Sequence, residues 1–194
     1  LTNASKEVPA SGEWTREDLP PEVCVALDAA LDKLGRAPAI LRVTELAGYT
    51  DWVLIVSGRS ERHVQAITDA VQRSETGKGR RARGTDGLGA HLWDLLDYDD
   101  FIVHVFYHPV RAHYDLESMW SDAPRVRLDL PDEVMNTDDL DRLDTPDGLP
   151  AYRGEPTFGG FDDEFDDDDD DDDDELDPDE LEPEPDAEPE PDVD

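Results

Sequence analysis

The sequence predicts an α/β sandwich built on a small mixed sheet, followed by a long acidic extension. Three observations carry that prediction. Apolar residues recur at helical spacing in Val23, Leu27, Ala30, Leu31 and Leu34, and again in Val64, Ile67 and Val71. Between these stretches lies Trp52-Val53-Leu54-Ile55-Val56, five apolar residues in succession, which is the mark of a strand covered on both faces. The apolar rhythm then stops after about Asp122, and the 34 residues from Phe161 onward hold 23 acids and no base.

Taken in order, residues 1–19 are polar without a repeating apolar pattern and read as a flexible lead-in. Pro20 and Pro21 open the first helix, where a missing N–H is harmless, and Gly35 stops it. A first strand spans about 39–44. The second, 51–57, carries the five-residue apolar run and is central. Ser57-Gly58-Arg59-Ser60 turns the chain, Ser60 serving as N-cap with Glu61 in the first turn of a helix over 61–74. That helix turns Val64, Ile67 and Val71, flanked by Ala66 and Ala70, to the sheet. The glycine-punctuated basic stretch 77–84 reads as a loop or a poor edge strand. Trp93–Asp97 and Phe101–Tyr107 are two strands joined near Asp99-Asp100, and Pro109 opens a last short helix holding Tyr114, Leu116, Met119 and Trp120. The domain thus covers residues 20–122. Residues 123–160 form a linker whose scattered Leu and Val allow docking, and 161–194 are a disordered tail that includes the nine-Asp run 166–174.

Composition narrows the function. Seventeen basic residues face 52 acidic ones among 194, a net charge of −35, so gripping naked nucleic acid chiefly through phosphates is disfavoured and a basic protein partner is favoured. Apolar runs end at five residues, far short of the roughly 20 that cross a bilayer, so no membrane is expected. The first residues lack the basic start and apolar stretch of a secretory signal. Cys24 is the single cysteine, so no internal disulfide can form and a cytoplasmic location is expected.

Candidate chemistry is sparse. Asp97 and Asp99 alternate along a strand end and could hold Mg²⁺ for nucleotidyl transfer; they equally suit a turn, where Asp is favoured. No G-x-x-x-x-G-K-[ST] cradle is present. His104, His108 and His113 are near in sequence but fall on a strand, its end and a helix, so no shared zinc site is expected. Cys24 lies in a helix stripe as a small core residue. Lys78, Arg80, Arg81 and Arg83 form a basic cluster able to touch RNA phosphates, or else a solvated loop or a resting place for the acidic tail. The expectation is therefore no catalytic residue, no metal and no cofactor, with a metal-dependent nucleotidyltransferase-like enzyme as the alternative.

Three ordered blocks then carry a resemblance. Asp51-Trp52-Val53-Leu54-Ile55-Val56-Ser57-Gly58-Arg59-Ser60, with Arg62-His63-Val64 and Ala66-Ile67, is the first. Asp86-Gly87, Trp93-Asp94-Leu95-Leu96-Asp97-Tyr98 and Val103-His104-Val105-Phe106 make the second. Arg111, Tyr114-Asp115-Leu116-Glu117 and Trp120 make the third. Together they resemble the ribosomal silencing factor family, also called Iojap-like proteins, over about residues 20–122.

The resemblance implies a domain shaped like a nucleotidyltransferase but without its catalytic site. It implies a translation repressor that binds the large ribosomal subunit through its protein L-fourteen and blocks joining of the small subunit, with a role in large-subunit maturation and homodimers in some settings. It implies partner-binding roles for Trp93, Leu95, Asp97, Tyr114 and Trp120; core packing is the alternative for Trp93, Tyr114 and Trp120. The basic Lys78, Arg80, Arg81 and Arg83 stay the candidates for peripheral rRNA contact by their charge. Nearby Asp94, Asp97 and Asp100 suit a basic ribosomal protein. Two departures stand out: Asp94 replaces an apolar strand residue, so that side of the strand is expected to be exposed, and Asp99 replaces a turn glycine, at a cost in a left-handed conformation. The tail lies outside the likeness; near the subunit interface its charge would repel rRNA or capture basic extensions.

Overall fold

Helices close both faces of a five-stranded mixed sheet in this protein, for which a computed structural model describes Pro9 and residues 13–149. All of them fall in the first of the chain's two units, Leu1–Arg153. The elements run β1 (Trp14–Thr15), α1 (Pro21–Asp32), β2 (Arg36–Arg42), α2 (Thr44–Ala47), β3 (Trp52–Gly58), α3 (Glu61–Gly77), β4 (Gly84–Asp86), β5 (Trp93–Asp97), β6 (Phe101–Tyr107), α4 (His108–Tyr114), α5 (Leu116–Met119), β7 (Val126–Arg127) and α6 (Asp132–Met135). The sheet order is β2-β3-β6-β5-β4. Only β3 and β6 run parallel within it; the other neighbours are antiparallel. Among the described residues no helix is long and apolar enough to cross a membrane.

Every residue of β3 is buried, because two hydrogen-bonded neighbours and a covered surface on each side leave it no water. Leu54 and Val56 join Ile40, Leu96, Val103 and Val105 on the face packed by Val23, Leu27 and Ala30 of α1 and by Val64, Ile67 and Val71 of α3. Val53 and Ile55 join Leu41 and Phe106 on the opposite face, beneath Val110 and Leu116 of α4 and α5. Ser60 caps α3 as expected, its side chain accepting the His63 N–H at 3.2 Å.

The end of α1 is built differently from the expected glycine stop. The Gly35 N–H reaches Ala30 O at 2.9 Å and the Leu34 N–H reaches Leu31 O at 2.8 Å, the paired bonds of a Schellman closure. In that closure the left-handed position falls on Leu34, at φ 62°, so its side chain leaves the apolar stripe and is 69% exposed. Gly35 is needed for close approach: a Cβ there would lie 2.7 Å from Val56 Cγ1 and 2.9 Å from Ala30 O.

Three further differences concern segments judged featureless or continuous from sequence. The lead-in is not free throughout: Trp14 is buried edge-on against Trp52 at 5.4 Å, Arg42 stacks over its indole at 4.5 Å, and Thr15 bonds Asp18 twice at 2.9 Å. Nor does the chain run loose directly after residue 122. β7 pairs parallel with β1, Arg42 N–H bonds Pro124 O at 3.0 Å, and Leu140 is buried, so residues 123–149 pack on the domain. Residues 150–160 and the tail lie outside the described residues. The single last helix is two, α4 and α5, because Asp115 takes φ 42° between them. A lone Trp or Leu in a polar stretch has no periodicity, and its partners are distant in sequence, which is why pattern reading passed over both segments.

Leu34 is strained and exposed, so replacing it by glycine relieves a left-handed penalty of about 1 kcal/mol without opening the core. Leu34→Gly is expected to raise the urea midpoint at unchanged slope. A lowered midpoint would show that Leu34 contributes packing in spite of its exposure.

Candidate protein-docking face

Alternation along β5 places Trp93, Leu95 and Asp97 on one side and Asp94 and Leu96 on the other. The first three are half-buried; the other two are fully covered. Trp93 stacks on Phe106 at 4.8 Å, leans on Tyr114 at 5.1 Å, and its Nε1–H donates to His104 Nδ1 at 3.0 Å. Accepting at Nδ1, the imidazole carries its proton on Nε2. Burial pushes His104 down to a pKa of about 4, so the ring stays neutral and remains an acceptor for the indole. This pair fixes the Trp93 ring while leaving part of it at the surface.

Tyr114 and Trp120, both half-buried, join the same apolar group through α4 and the end of α5, so the structure gathers Trp93, Tyr114 and Trp120 together. Leu95 lies beside them on β5, opposite His104 in the neighbouring strand. Asp97 is engaged in the β5–β6 turn: its Oδ1 accepts the Asp99 N–H at 2.8 Å, and Asp99, at φ 78°, pairs with Arg83. The two carboxylates thus hold a turn. Among the described residues no three His, Cys, Asp or Glu side chains gather where a metal ion could sit.

Asp94 departs from expectation. It is completely buried, because it points away from Trp93 toward α3, where Thr68 Oγ1 donates to its Oδ2 at 2.7 Å and His91 Nδ1 lies 2.8 Å from the same oxygen. It therefore neither exposes that side of the strand nor adds charge to the docking face.

A polar group that sequence reading missed holds α4 in place. Arg111, buried, donates to Ser57 Oγ at 2.9 Å and to Ala37 O at 2.7 Å, and grips Glu117 with two bonds of 3.1 and 2.7 Å. Burial alone would raise the Glu117 pKa; the Arg111 bonds and charge, helped by Arg125, outweigh it and hold the carboxyl below its usual range. His108 bridges Ser57 Oγ at 3.0 Å and Asp141 at 2.8 Å, which lowers the Asp141 carboxyl through that hydrogen bond. The Arg111 and Tyr114-to-Glu117 block was the available signal, but it gave no clue that Ser57 was its meeting point.

The basic cluster is divided. Arg80 is half-buried and turned onto the domain: it lies 3.6 Å from buried Glu75 and 3.7 Å from Glu22, bonds Asp100 at 3.0 Å, and covers the Phe101 ring at 5.6 Å. Burial raises the Glu75 carboxyl, with Arg80 opposing and Glu22 reinforcing, and neither Glu75 oxygen has a hydrogen-bond partner among the described residues. Arg83 is held by Asp99. Lys78 and Arg81 are exposed and enter no ion pair among the described residues.

The family described as "Ribosomal silencing factor during starvation" matches residues 16–148. The ribosomal silencing factor of Halalkalibacterium halodurans is 34% identical over 105 residues, 54% of this chain and 90% of that protein. That of Bacillus subtilis is 32% identical over 105 residues, covering 54% and 89%. A crystal structure of a Chromobacterium violaceum protein, 29% identical, superposes with a TM-score of 0.51 over 52% of this chain and 83% of its own.

The buried His104 sets a pH dependence. Its folded pKa near 4 lies below the ordinary 6.5, so between those values the unfolded chain binds the extra proton and stability falls as pH falls. The loss approaches about 3 kcal/mol for a shift of this size. His104→Gln, which keeps an acceptor for the indole, is expected to flatten the urea-midpoint profile from pH 6.5 down to 4; an unaltered profile would assign the acid sensitivity elsewhere.

Proposed function

The chain belongs to the ribosomal silencing factor family, a family of ribosome-associated regulators of translation, and from that premise we propose that its Trp93 face binds protein L-fourteen of the large ribosomal subunit and keeps the small subunit from joining. The supporting observation is the half-exposed Trp93 on a rigid strand, fixed by Phe106, Tyr114 and His104. A ring that is already immobilised loses little freedom on docking, and a half-exposed aromatic centre with a polar rim is how a modest interface concentrates affinity.

Leu95 widens the apolar centre, and Asp97 at the far end of β5 supplies a negative edge that a basic ribosomal protein would meet; Asp100 adds less, because Arg80 binds it. Exclusion then requires no chemistry. An occupant of a surface that the second particle must touch lowers the joining equilibrium in proportion to its own occupancy. The work is done in the cytoplasm, on free large subunits, and the same occupancy during the last steps of subunit maturation would delay premature joining.

Sedimentation with purified subunits tests this. The chain is expected to travel with the large subunit and to reduce the joined-ribosome peak. Trp93→Ala and the surface change Leu95→Arg should each weaken that association at least tenfold, with circular dichroism unchanged. A wild-type chain that stays at the top of the gradient while subunits pair normally beside it refutes the proposal.

A further inference from the structure

We infer that Lys33, Arg59 and Arg62 form an RNA-phosphate contact surface at the same end of the sheet as Trp93, and that this patch, not the segment 78–83, meets ribosomal RNA. The inference rests on the docking reading above and extends it with a second kind of contact.

Cross-strand pairing makes one row of Arg36, Ser57, Phe106 and Trp93 across β2, β3, β6 and β5. With strands about 4.8 Å apart, Trp93 is roughly 10 Å from β3 at Ser57, where the chain turns through Gly58 and Arg59 into α3. Arg83 N–H, by contrast, bonds Asp97 O at 2.7 Å, at the other end of β5, about 14 Å along the strand. The 33/59/62 turns thus lie at the Trp93 end of the sheet, at the ends of α1 and α3 on its other surface, whereas Lys78 and Arg81 lie at the Asp97 end beside the acidic turn.

The patch is also held in shape. His63 Nδ1 accepts the Arg59 N–H at 3.1 Å, and its Nε2 donates to Lys33 O at 2.6 Å. One imidazole thus ties the turn after α1 to the turn before α3. Gly58 allows the fit, since a Cβ there would sit 3.0 Å from the Val64 side chain and backbone nitrogen.

Charge decides the partner. Elsewhere this acidic domain neutralises many of its bases: Arg16 by Asp28, Arg73 by Asp69, Arg127 by Glu13 and Asp129. Lys33, Arg59 and Arg62 are exposed and enter no ion pair among the described residues, although Asp32 and Glu61 are their neighbours in sequence. Arg36, next to them, is occupied by Asp139. Point charges on two fixed turns suit a phosphate backbone, which asks only for positive charge at intervals. At about 0.1 M salt the screening length is near 10 Å, so distant acids are screened, whereas Glu61 and Asp144, near Tyr107 beside Gly58, reduce the patch's net charge without pairing with its three bases.

The test uses the full chain and two probes, an RNA duplex of about 16 base pairs and the purified large subunit, each across a salt series from about 0.1 M. The triple variant Lys33→Ala, Arg59→Ala, Arg62→Ala is expected to weaken duplex binding about tenfold and to reduce the slope of log affinity against log salt by about 2 to 3. Lys78→Ala with Arg81→Ala should change both by less than twofold. Equal duplex binding by wild type and triple variant, including none by either, overturns the inference, as does a triple variant that loses a poly-aspartate peptide but keeps the duplex. On the subunit the triple variant should bind more weakly and with less salt dependence, whereas Trp93→Ala reports on the docking face alone, so the two ideas fail separately.

Discussion

Seven successive buried residues in β3 are the constraint from which the rest of this domain follows. A strand with no wet face must be hydrogen-bonded on both edges and covered above and below, so β2 and β6 flank it and helices must lie on each surface. The two covers are unequal. α1 and α3 pack along one surface, while α4 and α5 are short and reach chiefly Phe106 and its neighbours on the other. The half-exposed positions of β5 are what this shorter cover leaves, and there Trp93 stands, propped by aromatic rings and an imidazole that burial keeps neutral.

Electrostatics is organised by the same enclosure. A domain this acidic commits several bases to internal duty: Arg80 to buried Glu75, Arg111 to Glu117 and Ser57, Arg36 to Asp139 and the carbonyls of 134 and 136. Removing Arg80 or Arg111 would leave a buried or half-buried carboxylate without compensation, which is far more damaging than losing a surface pair. Basic residues close in sequence can therefore have opposite fates, as Arg80 and Arg81 do, according to which of them faces the interior.

The fold was largely legible because its strongest signals are local. The apolar run in β3, the helical stripe of α3 and the Ser60 cap required only neighbours a few residues away. Of the docking face, the residue types could be named from sequence, and Trp93, Tyr114 and Trp120 do come together. Asp94 was misjudged because alternation fixes which residues share a side but not which side a helix will cover; Thr68 of α3 does the covering. Trp14 and Leu140 were passed over because each is a solitary apolar residue in a polar stretch.

By itself, the sequence determined the elements that periodicity and capping dictate, the central place of β3, and the family. Those depend on interactions within a turn of helix or along one strand, and on an ordered set of residue blocks. Only the tertiary structure decided which arginines are spent inside, which face of β5 meets water, and that the segments before residue 20 and after 122 close on one another through β1 and β7. Each of those outcomes turns on pairs of residues far apart in the chain, whose meeting is set by how layers stack, and no local pattern encodes the partner on the other side.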